Sequence, residues 1–370
     1  MLRQLFITTK FFDKCLKAFI FCLPIIWLPG IQQSNLQLLL FNYGTLILFG
    51  LSIFLPAKRE FSNHNILLIF TVSIILSLIR NPLILSISFL NIIIGCLLYY
   101  TIVRSVDDIK NIVNIFVWLA SLNIIMAITQ IANLHLLYKE DVVCGLMAHK
   151  NHLAMFLALV SPILLKRSWL FIPLVFILLV YLQCYSALLG FLVGLAIWLY
   201  FRNIKWQEKI IISSITIFIA IFILANIFSP NFPAYKIRSR FPVWEIILKE
   251  SFSNPFIGKG IDSFKALSNI LSSSGVDVIN SYSEYMRLIF EFGIFAVILI
   301  GISLFRYYKK LFIKDNQICQ TLLASIASFL IIMGFQDPLH IVRLAIPFVV
   351  ILGCLEANCI DNRKEIKNVD

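Results

Sequence analysis

The chain has 370 residues, of which 60% are hydrophobic and 14% are charged. A soluble domain is about half apolar and about a quarter charged, so this composition excludes an ordinary water-soluble domain and indicates a membrane-embedded protein. The formal net charge is +12, but in a membrane protein an excess of Lys and Arg sets topology, so no nucleic-acid partner is predicted.

Apolar segments recur along the whole chain, and in hydrocarbon they have to be helices because every backbone amide must be bonded internally. The N-terminal arm has basic residues before its first apolar run but no small-residue cleavage site, so we interpret this run as an uncleaved span. The sequence predicts an all-α, polytopic integral membrane protein with about twelve transmembrane helices, forming one transmembrane domain over 1–370. The predicted spans are 15–31, 36–55, 65–79, 82–103, 111–132, 152–165, 169–183, 185–201, 210–229, 286–305, 318–336 and 339–357.

The charges of the loops between these spans alternate. Most of the 31 Lys and Arg residues lie in the N-terminal arm, in every second loop and in the tail, 358–370. By the positive-inside rule, these parts and both termini are cytoplasmic. The other basic residues lie mainly in two outer segments, 133–151 and 230–285. Because this second set runs against the topology rule, it predicts an anionic ligand such as phosphate or pyrophosphate.

The segment 230–285 is predicted to be a long periplasmic loop inserted between spans. A short helix is predicted from Arg240 to Ser251, started by Pro242, with apolar residues at helical spacing. Such an amphipathic helix can lie on the bilayer surface. A loop of this length in a compact membrane protein is usually a lid or a binding element.

Three motifs on the predicted outer side carry the candidate chemistry. The first is G-L-M-A-H-K-N-H, residues 145–152. The second is R-S-R-F-P-V-W, residues 238–244, followed by N-P-F-I-G-K-G, residues 254–260. The third is Y-S-E-Y-M-R-L, residues 282–288, followed by E-F-G, residues 291–293.

In this order the motifs resemble the O-antigen ligase and O-antigen polymerase family, bacterial inner-membrane enzymes of the C-type glycosyltransferase kind. The resemblance covers about residues 140–300 in motifs and most of the chain in topology. It implies transfer of a glycan from undecaprenyl pyrophosphate, at the periplasmic face, to an acceptor sugar. The acceptor is lipid A–core for a ligase and another repeat unit for a polymerase of O-antigen or capsule. The reaction needs neither nucleotide sugar nor metal nor other cofactor, and no outer carboxylate pair of the D-x-D kind is present.

The resemblance assigns catalytic positions to Arg240, Arg287 and Tyr282. Arg240 would bind the pyrophosphate, and Arg287 would bind the same charge or the acceptor, since arginine forms bidentate, charge-assisted bonds with phosphates. Tyr282 stands where the family usually has a histidine, and a phenol, which titrates near pH 10, is a poorer base than imidazole. Tyr185 also stands where the family often has an arginine, before Ser186.

Further residues are predicted to bind substrate, with the lipid phosphate entering past the 145–152 motif. They are His149, Lys150, Asn151, Arg238, Trp244, Ser283 and Glu291. Structural roles remain open for three: snorkelling of Arg240 to the headgroups, helix capping by Asn151, and an i,i+4 pair of Glu291 with Arg287.

Two other functions are weighed against the transferase. A polysaccharide transporter or flippase would place charged or broken-helix sites near the bilayer midplane, often in two similar halves. The sequence shows no internal repeat, and its outer charges sit at one face. A non-catalytic scaffold of a polysaccharide export system is also considered, because the histidine of the third motif is replaced by Tyr282.

Overall fold

The described part of the protein consists of helices joined by turns and short loops. The computed structural model describes residues 2–22, 35–55, 59, 87–106, 108–132, 143–147, 149–201, 207, 210, 214, 240–273, 281–311 and 316–367. These residues form twelve α-helices and no strand. The all-α prediction is therefore confirmed for this part of the chain.

Five of the predicted spans agree with a helix to within two residues at each end, but the first helix includes most of the predicted N-terminal arm and shares only residues 15–22 with the predicted span 15–31. In chain order the helices are α1 (Leu2–Cys22), α2 (Asn35–Phe54), α3 (Ile87–Ser105), α4 (Ile109–Ile131), α5 (Lys150–Arg167), α6 (Phe171–Tyr181), α7 (Tyr185–Phe201), α8 (Phe241–Ser251), α9 (Ser263–Ser273), α10 (Glu284–Leu311), α11 (Gln317–Met333) and α12 (Val342–Lys367), with a 3₁₀ helix, Pro338–His340, before α12. Helix α12 continues far into the predicted tail. The predicted spans 65–79 and, apart from two residues, 210–229 lie outside the described residues.

Two helical segments, Ile109–Ile131 and Leu344–Asp361, are long and apolar enough to cross a membrane, and shorter apolar helices accompany them. Helix α4 exposes an apolar stripe made of Trp118, Leu122, Ile125 and Ile128. Water disfavours such a stripe and hydrocarbon accepts it. These features support association with a membrane, while the count of about twelve spans stays a prediction.

Helix α5 is the centre of the bundle. Every residue from Leu153 to Leu165 is buried, as expected for a helix that is apolar on all sides. Helices α7 and α11 pack against α5 and against each other. Their contact is close because Gly190 and Gly194 of α7 face Ser328 of α11, whose hydroxyl donates to the Gly190 carbonyl at 2.5 Å. Small residues four apart allow this approach in membrane helices.

We expect Gly190→Ala to destabilise the protein by about 1–3 kcal/mol through overpacking. A Cβ at Gly190 would lie 2.7 Å from the backbone oxygen of Ser328, which cannot rotate away. Thermal unfolding in detergent measures the effect. Gly50→Ala in α2 is the matched control, because a Cβ there meets nothing within 4 Å. Equal unfolding temperatures for the two variants would contradict the prediction.

Helix α10 is broken at Gly293, whose φ of 77° and ψ of 174° are not helical. Its first part, Glu284–Phe292, packs beside the loop helices α8 and α9, through Phe290 among others. The continuous span predicted over 286–305 is therefore wrong in this respect: the helix is broken within it.

At the predicted cytoplasmic end of the helix bundle, a buried arginine bonds to two other parts of the chain. Arg59 is only 6% exposed, and its Nε donates to Asp361 of α12 at 2.7 Å. A second guanidinium nitrogen donates to the Val106 carbonyl, next to the end of α3. These bonds connect the last turns of α12 to the loops after α2 and α3.

Candidate functional site

The first motif is held by polar side chains of α4. Asn123 Oδ1 accepts from the Leu146 amide at 3.0 Å, and Gln130 Oε1 accepts from the Gly145 amide at 2.8 Å. Gly145 has a φ of +60°, and a Cβ there would lie 3.0 Å from the Asn123 carbonyl oxygen. The glycine of this motif is thus explained by its backbone conformation and its close contact with α4.

Helix α5 starts directly after this turn. His149 is its N-cap, and its Nδ1 accepts from the Asn151 amide at 3.1 Å. The capping role considered for Asn151 is therefore wrong, because His149 occupies the cap. Lys150 is the first residue of the helix, and both Lys150 and Arg240 act electrostatically on the Cys184 thiol just before α7. Lys150 of the first motif and Arg240 of the second therefore both contribute positive charge near the start of α7.

The second motif forms helix α8, as predicted, with Arg240 as N-cap and Pro242 in the first turn. Its apolar side packs inward: Val243 and Ile247 are buried with Phe264 of α9 and Phe290 of α10. Val243 and Ile247 therefore do not face a bilayer surface, because α9 and α10 cover them. Trp244 donates from Nε1 to the Ser281 carbonyl at 3.0 Å, which joins the second motif to the third.

The glycine-rich turn after α8 docks onto the break in α10. The amides of Lys259 and Gly260 donate to the Phe290 and Glu291 carbonyls, each at 2.8 Å, and the Ile294 amide donates to the Pro255 carbonyl at 2.9 Å. The turn supplies backbone partners that the interrupted helix lacks. The N-P-x-x-G-x-G and E-F-G motifs are therefore two halves of one backbone junction.

Arg240 is partly buried and contacts two segments that are distant from it in the chain. Its guanidinium donates to the Phe335 carbonyl and stacks on the Tyr282 ring, with 4.9 Å from Cζ to the ring centroid. Burial lowers the pKa of Arg240, and the neighbouring Tyr282, Cys184 and Asp337 oppose this change. Among the described residues no carboxylate forms an ion pair with Arg240, so its charge is available to an anion.

Tyr282 occupies a left-handed backbone conformation, with φ of 54°. The buried carboxylate of Asp337 holds it there, accepting from the Tyr282 amide at 3.1 Å and from the Ser281 hydroxyl at 2.6 Å. Burial raises the pKa of Asp337, and the hydrogen bond from Ser281 and the charge of Arg287 oppose that rise. A non-glycine residue at positive φ is uncommon and persists only when its surroundings impose it.

Arg287 differs from Arg240 in its partners. Its Nε lies 3.1 Å from Glu291 Oε1, and an Nη lies 3.9 Å from Asp262 Oδ1. The predicted i,i+4 pair of Arg287 with Glu291 is confirmed. Both carboxylates are nearly buried, at 3% and 10% side-chain exposure, so they offset much of the Arg287 charge. Arg287 is consequently a weaker candidate than Arg240 for binding a second anion.

Glu284 begins α10, ahead of the predicted span, and is 2% exposed. Its carboxylate accepts from the Leu339 amide at 3.0 Å. Burial, followed by repulsion from Asp337, raises its pKa to about 8, against the attraction of Arg287. Glu291 adds to the repulsion.

We expect the thermal stability of the detergent-solubilised protein to fall as the pH rises through about 8. The folded state favours the protonated Glu284, whereas the unfolded carboxyl ionises near 4.5, so between these values a rise in pH lowers the free energy of unfolding. Glu284→Gln should flatten this part of the profile. Exposed Glu245→Gln should leave it unchanged, and a wild-type profile in the Glu284 variant would refute the assignment.

The structure thus brings most of the predicted site residues to one end of the bundle. Arg240 stacks on Tyr282, and Arg287 follows Tyr282 by five residues in the same motif, so both arginines belong to the region around the third motif. Ser283 is buried beside Tyr282, and Arg238 lies outside the described residues. The sequence analysis missed Asp337 and Glu284. Asp337 could have been found from the sequence, because it is an acidic residue in the short predicted outer loop between the spans 318–336 and 339–357.

No three His, Cys, Asp or Glu side chains are grouped as a metal site in the part of the chain that the structure describes. Arg240 and Lys150 could instead hold an anion. The backbone junction and the Asp337 bonds orient the third motif toward Arg240. No family model matches the chain, and no curated protein is significantly similar to it.

Proposed function

We propose that the protein transfers a glycan from a polyprenyl pyrophosphate carrier to an acceptor sugar at the outer face of a bacterial inner membrane. The observation that carries this proposal is Arg240. It is a partly buried guanidinium without an ion-pair partner among the described residues, and it stacks on Tyr282 of the third motif. Such a group is suited to a pyrophosphate, which arginine binds through bidentate, charge-assisted bonds.

In this reaction an acceptor hydroxyl oxygen attacks the anomeric carbon of the donor glycan. The bond between that carbon and the pyrophosphate oxygen breaks, and the pyrophosphate leaves with the bonding electrons. Arg240 stabilises the negative charge that grows on the leaving group. The hydroxyl proton is taken up by water or by the departing pyrophosphate.

The remaining residues have separable roles in the proposal. Lys150 adds positive charge on the side of α5 and α7, where the lipid phosphate would approach. Tyr282 positions the Arg240 guanidinium by stacking and offers a phenol to an acceptor hydroxyl. The Arg287–Glu291–Asp262 group is nearly buried and stabilises the packing of the loop helices on α10.

The experiment is a transfer assay with the purified protein in liposomes. The donor is a short glycan on undecaprenyl pyrophosphate, and lipid A–core and a second lipid-linked repeat unit are supplied as acceptors in separate reactions. Product with lipid A–core assigns a ligase, and elongation of the lipid-linked glycan assigns a polymerase. The proposal fails if neither acceptor is modified while the protein remains folded and monodisperse.

A transporter is less well supported by the described residues. It needs a charged site near the bilayer midplane. Glu356 is fully buried in α12, but it lies only about one and a half turns before Asp361, which pairs with Arg59 at the predicted cytoplasmic end. Translocation of the lipid-linked glycan without transfer, in the same liposomes, would favour the transporter instead.

A further inference from the structure

An exposed apolar patch follows helix α8. It consists of Phe252, Phe256 and Ile257, which are 77%, 58% and 42% exposed, and we call it the turn patch. Three large apolar side chains within six residues of a single turn are more than the scattered exposure that protein surfaces tolerate. The turn patch therefore needs a covering surface.

The turn patch is continuous with an apolar stripe of α10. The Phe256 ring stacks on the Phe295 ring, with centroids 5.3 Å apart. Phe295 is the first member of the α10 stripe, which continues along one side of the helix with Ile298, Ile302 and Phe305, each 43–55% exposed. Because the glycine-rich turn is bonded to the helix break by its backbone, the turn patch and the α10 stripe form a single surface.

Charged side chains stand on both sides of the turn patch in the chain. Glu245 and Lys249 pair with each other before it, and Lys259 after it pairs with Glu250. Aromatic side chains next to charged ones are typical of the boundary between hydrocarbon and headgroups. The α10 stripe would then run down into the hydrocarbon, with the turn patch at its upper end.

We propose that the turn patch inserts into the outer leaflet of the bilayer and sets the depth of α8. Val243 and Ile247 of α8 are buried against Phe264 and Phe290, so this helix does not contact the membrane through these two side chains. Contact passes instead to the turn that follows. Since Arg240 begins α8, anchoring of the turn holds its guanidinium at the level of the lipid headgroups. This inference needs a membrane around the chain and does not depend on glycan transfer.

The test places the photocrosslinker p-benzoylphenylalanine at single positions in the full chain, reconstituted in phospholipid nanodiscs. Phe252 and Phe256 are the test positions, and the replacement keeps an exposed aromatic ring at each. Ile298 in the α10 stripe is the positive control, and Glu245, with its side chain 66% exposed, is the matched control on α8. After irradiation, mass spectrometry measures the fraction of protein that carries phospholipid.

We expect phospholipid adducts at Phe252 and Phe256 at least fivefold above the level at Glu245 and comparable with Ile298. Adducts at the Glu245 level would overturn the proposal. So would a crosslink to a second copy of the chain, detected at twice the mass, because the patch would then be a protein interface. The readout does not involve activity, so its failure would leave the proposed transfer reaction untouched.

Discussion

Replacing Arg240 by alanine is expected to lower the rate of glycan transfer by about two to three orders of magnitude, the usual consequence of removing one group that stabilises transition-state charge. Among the described residues Arg240 forms no ion pair with a carboxylate, whereas Arg287 lies against Glu291 and Asp262. Arg240→Lys should retain part of the activity, because an ammonium supplies charge but not the bidentate geometry. The measurement is the initial rate of transfer from undecaprenyl pyrophosphate in liposomes.

The control for this prediction is Lys249→Ala, which removes a positive charge from the exposed side of the same helix. It should leave the rate within about twofold of wild type, because exposed ion pairs contribute little. Activity of the Arg240→Ala variant above about a tenth of wild type would remove Arg240 from the reaction. Arg287→Ala is less informative, since it would leave Glu291 buried without its partner and would disturb the fold as well as the site.

Much of the helical architecture could be predicted from hydrophobicity alone. The bounds of α7 coincide with its predicted span, and those of α4 and α5 differ from theirs by at most two residues at either end. Apolar runs flanked by basic residues are strong signals, because burial of backbone amides in hydrocarbon leaves the helix as the only solution. The start of α8 could also be predicted from the sequence, because Pro242 fits the first turn of a helix.

The interior of the site was harder to predict because it depends on contacts between distant parts of the chain. Asp337 lies 55 residues from Tyr282, whose amide it binds, and no local pattern marks that pairing. The break in α10 is similar. The sequence around Gly293 does not predict a break in the helix. The break is explained by the docking of the residues around Pro255 onto the backbone there.

The role of the motif glycines also depends on contacts between distant parts of the chain. The sequence analysis placed the N-P-x-x-G-x-G motif in the long loop and the E-F-G motif after Y-S-E-Y-M-R-L, and counted both among the motifs that carry the candidate chemistry. In the structure Gly258 packs on the backbone of Glu291 and Phe292, and Gly293 packs on Phe256. These glycines therefore allow a close backbone junction, whereas Arg240 and Tyr282 form the cation–π contact of the site.

Replacing Gly293 by alanine is therefore expected to destabilise the protein by on the order of 3 kcal/mol or more, through backbone strain and overpacking together. At φ of 77° and ψ of 174° a side chain is strongly disfavoured, and a Cβ would lie 2.2 Å from the Phe256 carbonyl oxygen. That oxygen belongs to the docked turn, so the turn would have to leave the helix break. Glycan transfer should fall along with stability, because α8 and Arg240 would lose their support.

The matched control is Gly301→Ala, in the second part of the same helix. A Cβ at Gly301 meets nothing within 4 Å, and alanine is the better helix former, so this variant should be as stable as wild type or slightly more so. Thermal unfolding and turnover, measured on both variants in the same detergent, separate the two cases. If Gly293→Ala unfolds at the temperature of Gly301→Ala, the junction between the glycine-rich turn and α10 does not support the site. A transferase built on it would then have to keep Arg240 in place by the Phe335, Tyr282 and Asp337 contacts alone.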